Sequence, residues 1–310
     1  MPHTQPHRIQ SISEYHRWAG LPAPANPLLS IVNFEDLPQS PFRESISVVA
    51  DFYSIVMKRM KGMKYKYGQQ HYDFDNDGVL FFVSPNQVYS VEVNRDEIRE
   101  KPSGWMMLLH PDFLWNTPLA KTIKQYEYFD YKVNEALFLS EKEEVTLRGI
   151  IQNIQQEYHS NIDKFSKKII VSQIESLLNY SERFYNRQFI TREKANHIIL
   201  NRLEESLSDY FKNEEFVKKG LPTVQFISDK LNFSPSYLNS LLKAQTGLST
   251  QQYIHLKLIE KAKEKLSTTN LSVSEIAYEL GFEHSQSFSR LFKSKTNQSP
   301  VEFRASFNFN

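Results

Sequence analysis

Two segments near the C-terminal end place chemically unlike side chains on opposite helical faces. Leu238, Leu241 and Leu242 recur at helical spacing and leave Ser236, Asn239, Ser240 and Lys243 on the other side. Phe288, Leu291 and Phe292 do the same in the second segment, leaving Ser285, Gln286, Ser289, Arg290 and Lys293 outward. Hydroxyls, amides and a guanidinium can pair with base edges in the major groove of DNA, and lysine ammonium groups can meet backbone phosphate. One polar face of this kind is ordinarily just solvated. Two such faces, each opposite an apolar triplet, point to recognition.

The elements that must position these residues are themselves duplicated. Val224, Ile227, Ser228, Leu231 and Phe233 correspond to Val273, Ile276, Ala277, Leu280 and Phe282 at an offset of 49. Leu238, Leu241, Leu242, Lys243, Thr246 and Ser249 then correspond to Phe288, Leu291, Phe292, Lys293, Thr296 and Ser299 at an offset of 50. Repetition of one apolar pattern predicts two copies of one small helical unit. Each copy reads as helix, tight turn, helix. Ser272-Val273-Ser274-Glu275 is a capping box for a helix ending at Leu280, after which Gly281 supplies a positive φ. Asn232 takes that place in the first copy, and Ser234-Pro235 opens its second helix. Between the copies, Ser249 to Gln252 caps a long helix reaching Leu266, with Tyr253, Ile254, Leu258, Ile259 and Ala262 as its apolar stripe.

Charge follows the same division. Phe216 to Arg304 holds twelve Lys or Arg against seven Asp or Glu, so this region is at +5 while the remainder of a chain of net +1 is at −4. Such asymmetry suits a module facing a polyanion. The 310 residues suffice for two domains, and 40% hydrophobic with 24% charged residues fits an ordinary globular protein. The absence of cysteine removes disulfides, thiolate zinc sites and thiol nucleophiles. No apolar run approaches the ~20 residues that cross a bilayer, and the polar first ten residues lack a signal-peptide core. A cytoplasmic protein without a membrane partner is expected.

The N-terminal part reads as strands and turns. Ile46 to Val56, Gly78 to Val83, Val88 to Val93 and Gly104 to Leu109 are strand-like, with turn signals at Asn76-Asp77-Gly78 and Ser84-Pro85-Asn86. From Ser140 the period becomes helical. Leu147, Ile150, Ile151 and Ile154 mark one helix, and Ile169, Ile170, Ile174, Leu177 and Leu178 mark another. These two either close the core of the first domain or form a dimerisation surface. The expected domains are 1–139, a helical dimerisation or packing segment 140–185, a polar linker 186–194 and the helical domain 195–310.

Phe216 to Arg304 resembles the DNA-binding domain of AraC/XylS-type regulators. The residues carrying the likeness are Ser274-Glu275-Ile276-Ala277, Gly281-Phe282, Phe288 to Lys293, Ser299-Pro300 and Phe303-Arg304. Asn297 stands where that family usually has glycine, and Lys257 where it usually has arginine. The resemblance implies that each second helix enters one of two successive major grooves. It assigns base contacts to Ser236, Asn239, Ser240, Ser285, Gln286 and Arg290; Lys243 and Lys293, by their place on the same outward faces, are the candidates for the DNA backbone. Tyr67-Gly68, Tyr72-Asp73-Phe74 and Gly104-Trp105 through Pro111 to Leu114 resemble the cupin-like sensor domains of the same family.

The expected fold class is therefore α+β: an N-terminal cupin-like β-barrel with flanking helices, then an all-α domain of two helix-turn-helix units joined by a long helix. The expected function is a DNA-binding transcription regulator controlled by a small-molecule effector, homodimeric, with RNA polymerase as a further partner. A cupin-type enzyme carrying an appended DNA-binding domain is the alternative. Cupin metal sites need paired histidines and a carboxylate, whereas His71 and His110 each lack a histidine two residues away, and His3 and His7 lie near the terminus. No metal, cofactor or catalytic residue is expected. Phe81, Phe82, Tyr89 and Trp105 are candidates for a metal-free ligand pocket, or are simply core.

Overall fold

The computed structural model describes residues 6–37, 46–59, 65–67, 70–72, 78–91, 103–132, 135–160, 163–191, 193–212 and 220–306. Asn76-Asp77, Gly68, Asp73-Phe74, His3, Val93 and Phe216, all invoked above, lie outside these residues. The chain divides into two compact units, 1–188 and 189–310. The architecture is mixed α+β, β-rich in the first unit and helical in the second.

In the first unit, the strands among the described residues are β1 (His7–Ile9), β2 (Leu29–Asn33), β3 (Ile46–Ala50), β4 (Tyr53–Arg59), β5 (Tyr65–Tyr67), β6 (Gln70–Tyr72), β7 (Gly78–Val83), β8 (Val88–Val91), β9 (Ser103–Leu109) and β10 (Leu137–Leu139). They pair as a five-stranded sheet β10-β7-β4-β9-β2, a three-stranded sheet β1-β3-β8 and a hairpin β5-β6. Among the described residues no pairing closes these sheets into a barrel.

Register fixes which side chains share a face. Val56 lies opposite Phe81 on one side and Met106 on the other, while Ile55 lies opposite Phe82 and Met107. Because side chains alternate along a strand, Val56, Phe81 and Met106 join a core with Ile9, Ile12, Val48 and Phe52, against which Tyr89 also packs. α1 (Ile12–Trp18), capped by Ser11, contributes Ile12 and Tyr15 to it. Phe82 faces the other way, its ring 4.3 Å from that of Tyr128 and 5.2 Å from that of Phe129.

That second face is covered by helical segments. After the short α2 (Leu119–Thr122) come α3 (Glu141–His159), opened by the Ser140–Glu143 capping box, and α4 (Ser166–Thr191). Leu147, Ile150, Ile151 and Ile154 of α3 and Ile170, Ile174, Leu177 and Leu178 of α4 are all buried. The stripes therefore close the core of this unit. Ile169 departs from its expected place: it is 43% exposed, whereas Leu177 is fully buried. The Tyr128 hydroxyl donates to the Leu178 carbonyl at 2.9 Å. At the end of α4, the Gln188 amide oxygen accepts from Phe138 N–H at 2.8 Å, and Arg187 donates to the Phe138 carbonyl at 2.8 Å. The 186–194 segment read as a linker is thus helical to Thr191, with the boundary between units inside it.

The second unit is helical: α5 (Glu193–Lys212), α6 (Val224–Leu231), α7 (Pro235–Thr246), α8 (Thr250–Thr268), α9 (Val273–Glu279), α10 (Ser285–Thr296) and α11 (Pro300–Ala305). α8 is the connecting helix, with Tyr253, Ile254, Leu258, Ile259, Ala262 and Leu266 buried. No helix among the described residues is long and apolar enough to cross a membrane.

Candidate nucleic-acid interface

Both copies of the helix pair are built by the same local chemistry. In the first, the Thr223 hydroxyl accepts from Phe226 N–H and starts α6, which ends at Asn232 with φ 63°. In the second, Ser272 and Glu275 form a reciprocal cap on α9, and Gly281 follows with φ 81°. The turns are closed by equivalent hydrogen bonds. Phe233 N–H donates to the Ser228 carbonyl at 2.9 Å, and Phe282 N–H to the Ala277 carbonyl at 3.0 Å. Ser234 then caps α7 with Pro235 in its first turn. Asn297 ends α10 in the left-handed region with φ 60°, as a glycine substitute must.

Gly281 has a second constraint. A Cβ there would lie 2.9 Å from both the carbonyl carbon and oxygen of Gly220. Any side chain meets backbone that cannot swing aside. Gly281→Ala is expected to destabilise this unit by about 2 kcal/mol or more, through the left-handed φ and the added clash. Thermal unfolding of the isolated unit would measure it, and an unchanged midpoint would contradict the packing described.

The apolar faces dock the second helices. Leu238, Leu241 and Leu242 of α7 are fully buried, as are Phe288 and Phe292 of α10. Rings run from Phe282 through Phe288 and Phe292 to Phe303 at centroid spacings of 5.4, 5.8 and 5.5 Å. Leu291, expected inward, is only half-buried. Arg304 donates from Nε to the Leu266 carbonyl at 3.3 Å, which ties α11 to α8.

The outward faces differ between copies. On α10, Gln286, Arg290 and Lys293 are exposed, while Ser285 and Ser289 are half-buried. On α7, Lys243 is exposed, and Ser236, Asn239 and Ser240 are half-buried. Asn239 already has a structural partner, its amide oxygen accepting from Thr250 N–H at 3.3 Å. It anchors the start of α8, a role that helical spacing did not reveal.

The lysines divide by position as well. On α8, Lys257 pairs with Glu204 at 3.0 Å and with Glu260 at 3.3 Å, Lys261 with Glu264 at 2.8 Å, and Lys265 with Glu279 at 2.6 Å. Among the described residues, Arg290 and Lys293 enter no ion pair within 4.0 Å. Exposed cations outside any close ion pair on α10 suit contact with a polyanion.

The sequence reading did not single out α5. Ile199, Leu203, Leu207, Tyr210 and Phe211 recur at helical spacing and are buried. Tyr210 donates to the Gly220 carbonyl at 2.9 Å, and its ring lies 5.0 Å from that of Phe226. Tyr253 of α8 donates to Glu204 of α5 at 2.7 Å. That bond, followed by the one from Lys257, holds the Glu204 carboxyl below the ordinary glutamate range. The helical pair of α6 and α7 thus rests on α5 and α8.

The four pocket candidates do not form one site. Phe81 and Tyr89 lie against the core between the sheets, whereas Phe82 and Trp105 lie on the opposite face of the five-stranded sheet. Among the described residues no group of His, Asp or Glu is placed to hold a metal ion.

Residues 227–306 match the family model described as a helix-turn-helix domain. The chain is 31% identical over 156 residues to the HTH-type transcriptional activator RhaS of Escherichia coli strain SMS-3-5, covering 50% of this chain and 51% of that protein. It is 25% identical over 215 residues to the HTH-type transcriptional regulator YfiF of Bacillus subtilis strain 168, covering 68% of this chain and 55% of that protein. The matches therefore span about half the length of these curated relatives. Among solved structures, the C-terminal domain of the two-component response regulator yesN from Fusobacterium nucleatum is 33% identical, with a TM-score of 0.30, covering 36% of this chain and 98% of that one.

Proposed function

We infer, from the premise that the C-terminal unit of this chain is an AraC/XylS-type helix-turn-helix domain, that the protein is a sequence-specific DNA-binding transcription regulator. The observation that carries this reading is the duplicated helix pair, in which α7 and α10 dock by apolar faces and turn polar, cationic faces outward. α10 supplies the sequence-reading surface through Gln286 and Arg290, with Ser285 beside them. α7 contributes Ser236 and Ser240, while the bond from Thr250 restricts Asn239. Lys243 and Lys293 contact phosphate. The relatives matched are named as transcription regulators, which supports regulation rather than catalysis.

The first unit is the sensor. Two sheets facing a shared apolar core support a cupin-like arrangement for a small-molecule effector. The exposed apolar side chains of α3 and α4, Val145, Ile169 and Tyr180, support homodimerisation through that layer. RNA polymerase is a further partner at the promoter, and the protein works in the cytoplasm.

A fragment comprising residues 189–310 tests the premise. It is expected to fold by circular dichroism and to retain sequence-specific DNA binding, because its helices bury a core of their own. A genome-wide binding map of the full chain supplies the operator. An unfolded fragment, or one with equal affinity for operator and scrambled DNA, would overturn the reading.

A further inference from the structure

We propose that the first unit carries a binding site for a small organic carboxylate, in a cavity between strands β4 and β9 and helix α3. The proposal rests on reading this unit as a sensor, but places the ligand on the helix-covered face of the sheet rather than between the two sheets. The cavity has a volume of about 360 Å³, within the range of small-molecule sites. Its wall includes Arg59, Glu144 and Arg148 beside an apolar surface of Met57, Trp105 and Ile151.

The polar part is built around Glu144, whose side chain is 3% exposed. Arg59 donates from Nη2 to Glu144 Oε2 at 2.6 Å, and Arg148 donates to the other oxygen, Oε1. Glycine makes room for this arrangement. A Cβ at Gly78 would come within 3.1 Å of Glu144 Oε2, while one at Gly104 would meet the backbone of β4, 2.2 Å from the Met57 carbonyl oxygen, so that glycine sets the close approach of β9 to β4.

Two guanidinium groups thus share one buried carboxylate, so this trio carries one positive charge in excess, on the half-exposed Arg148 at the rim. Glu35 also lines the rim; it is exposed, and water screens it as it screens Arg148. Hydrogen-bonding capacity is unbalanced in the same direction. Both Glu144 oxygens are engaged, while two buried donors in the wall, Arg59 Nε–H and Trp105 Nε1–H, have no partner among the described residues. Buried polar groups are nearly always satisfied, and these two donors call for an acceptor. A carboxylate brings both the charge and the acceptors. Its hydrocarbon part would lie on Met57, Trp105 and Ile151.

The probe is 3-phenylpropionate, with 3-phenylpropionamide as a neutral analogue of the same shape. Titrated into the full-length protein, the acid is expected to bind saturably and to move the Trp105 indole N–H signal, assigned with Trp105→Phe. The amide should bind about tenfold more weakly or worse, because it lacks the charge-assisted bonds. Arg148 is half exposed, so Arg148→Ala should leave the fold intact and weaken the acid by about tenfold, with partial rescue by Arg148→Lys. No saturable binding up to roughly 10 mM, equal binding of acid and amide, or undiminished binding by Arg148→Ala would each overturn the site. Operator affinity measured with and without the acid scores the sensor reading separately. Binding of the acid without any change in DNA affinity would retain the site and reject its regulatory use.

Discussion

Arg290→Ala is expected to weaken operator binding by about 1–3 kcal/mol and to relax preference at one base position. The expectation follows from docking. Phe288 and Phe292 are fully buried against the aromatic series ending at Phe303, and Arg290 is exposed on the same helix. A helix held by those rings must present that guanidinium outward, where two parallel N–H donors match the acceptors of a guanine. The competing role is a phosphate contact, which aids affinity without reading sequence. The two roles separate on a salt series with operator and scrambled DNA. A base reader loses operator affinity selectively. A phosphate contact loses both alike and lowers the salt slope by about one unit, the behaviour expected of Lys293→Ala. Equal losses on both DNAs for Arg290→Ala would sink the base-reading role.

Leu177→Glu is expected to unfold the first unit, whereas Ile169→Glu is expected to leave it folded and to weaken self-association. Leu177 is fully buried in α4, beside Leu178, whose carbonyl receives the Tyr128 hydroxyl. An unpaired carboxylate there carries a desolvation penalty on the order of 5 kcal/mol, comparable to the whole stability of a domain. Ile169 is 43% exposed and loses little by becoming charged. Circular dichroism and sedimentation of each single variant decide both points. A folded Leu177→Glu protein would refute the core placement. A wild-type chain that sediments as a monomer at micromolar concentration would refute the homodimer.

These two residues also mark where sequence stopped being informative. Ile169 and Leu177 belong to one apolar series at helical spacing, and periodicity alone does not say where the buried stripe ends. The second unit was legible because its signals are local. Caps at Ser234, Ser249 and Ser272 and positive φ at Asn232 and Gly281 lie within a few residues of what they organise. The first unit was legible only as strands. Residue type alone makes Phe81 and Phe82 alike candidates for a pocket or for core, whereas neighbours on a strand face opposite ways. Arg59 and Glu144 stand 85 residues apart, and only the tertiary fold brings them together. Asn239 looked free to read a base because its partner, the Thr250 N–H, is a backbone group that no side-chain pattern reports.

Gly281 has an implication for how the duplication has aged. Its missing Cβ accommodates the backbone at Gly220, a segment that precedes the first copy altogether. The two copies are therefore not interchangeable modules. Both turns need a left-handed residue, Asn232 in one and Gly281 in the other, and Gly281 must in addition leave room for the backbone at Gly220. A protein engineer who lifts the second copy out alone, or transposes the two, removes the surface that this glycine packs against. Minimal DNA-reading fragments cut from this chain should keep Gly220 and Leu221, and shorter ones should be recovered as protease-sensitive, poorly cooperative peptides.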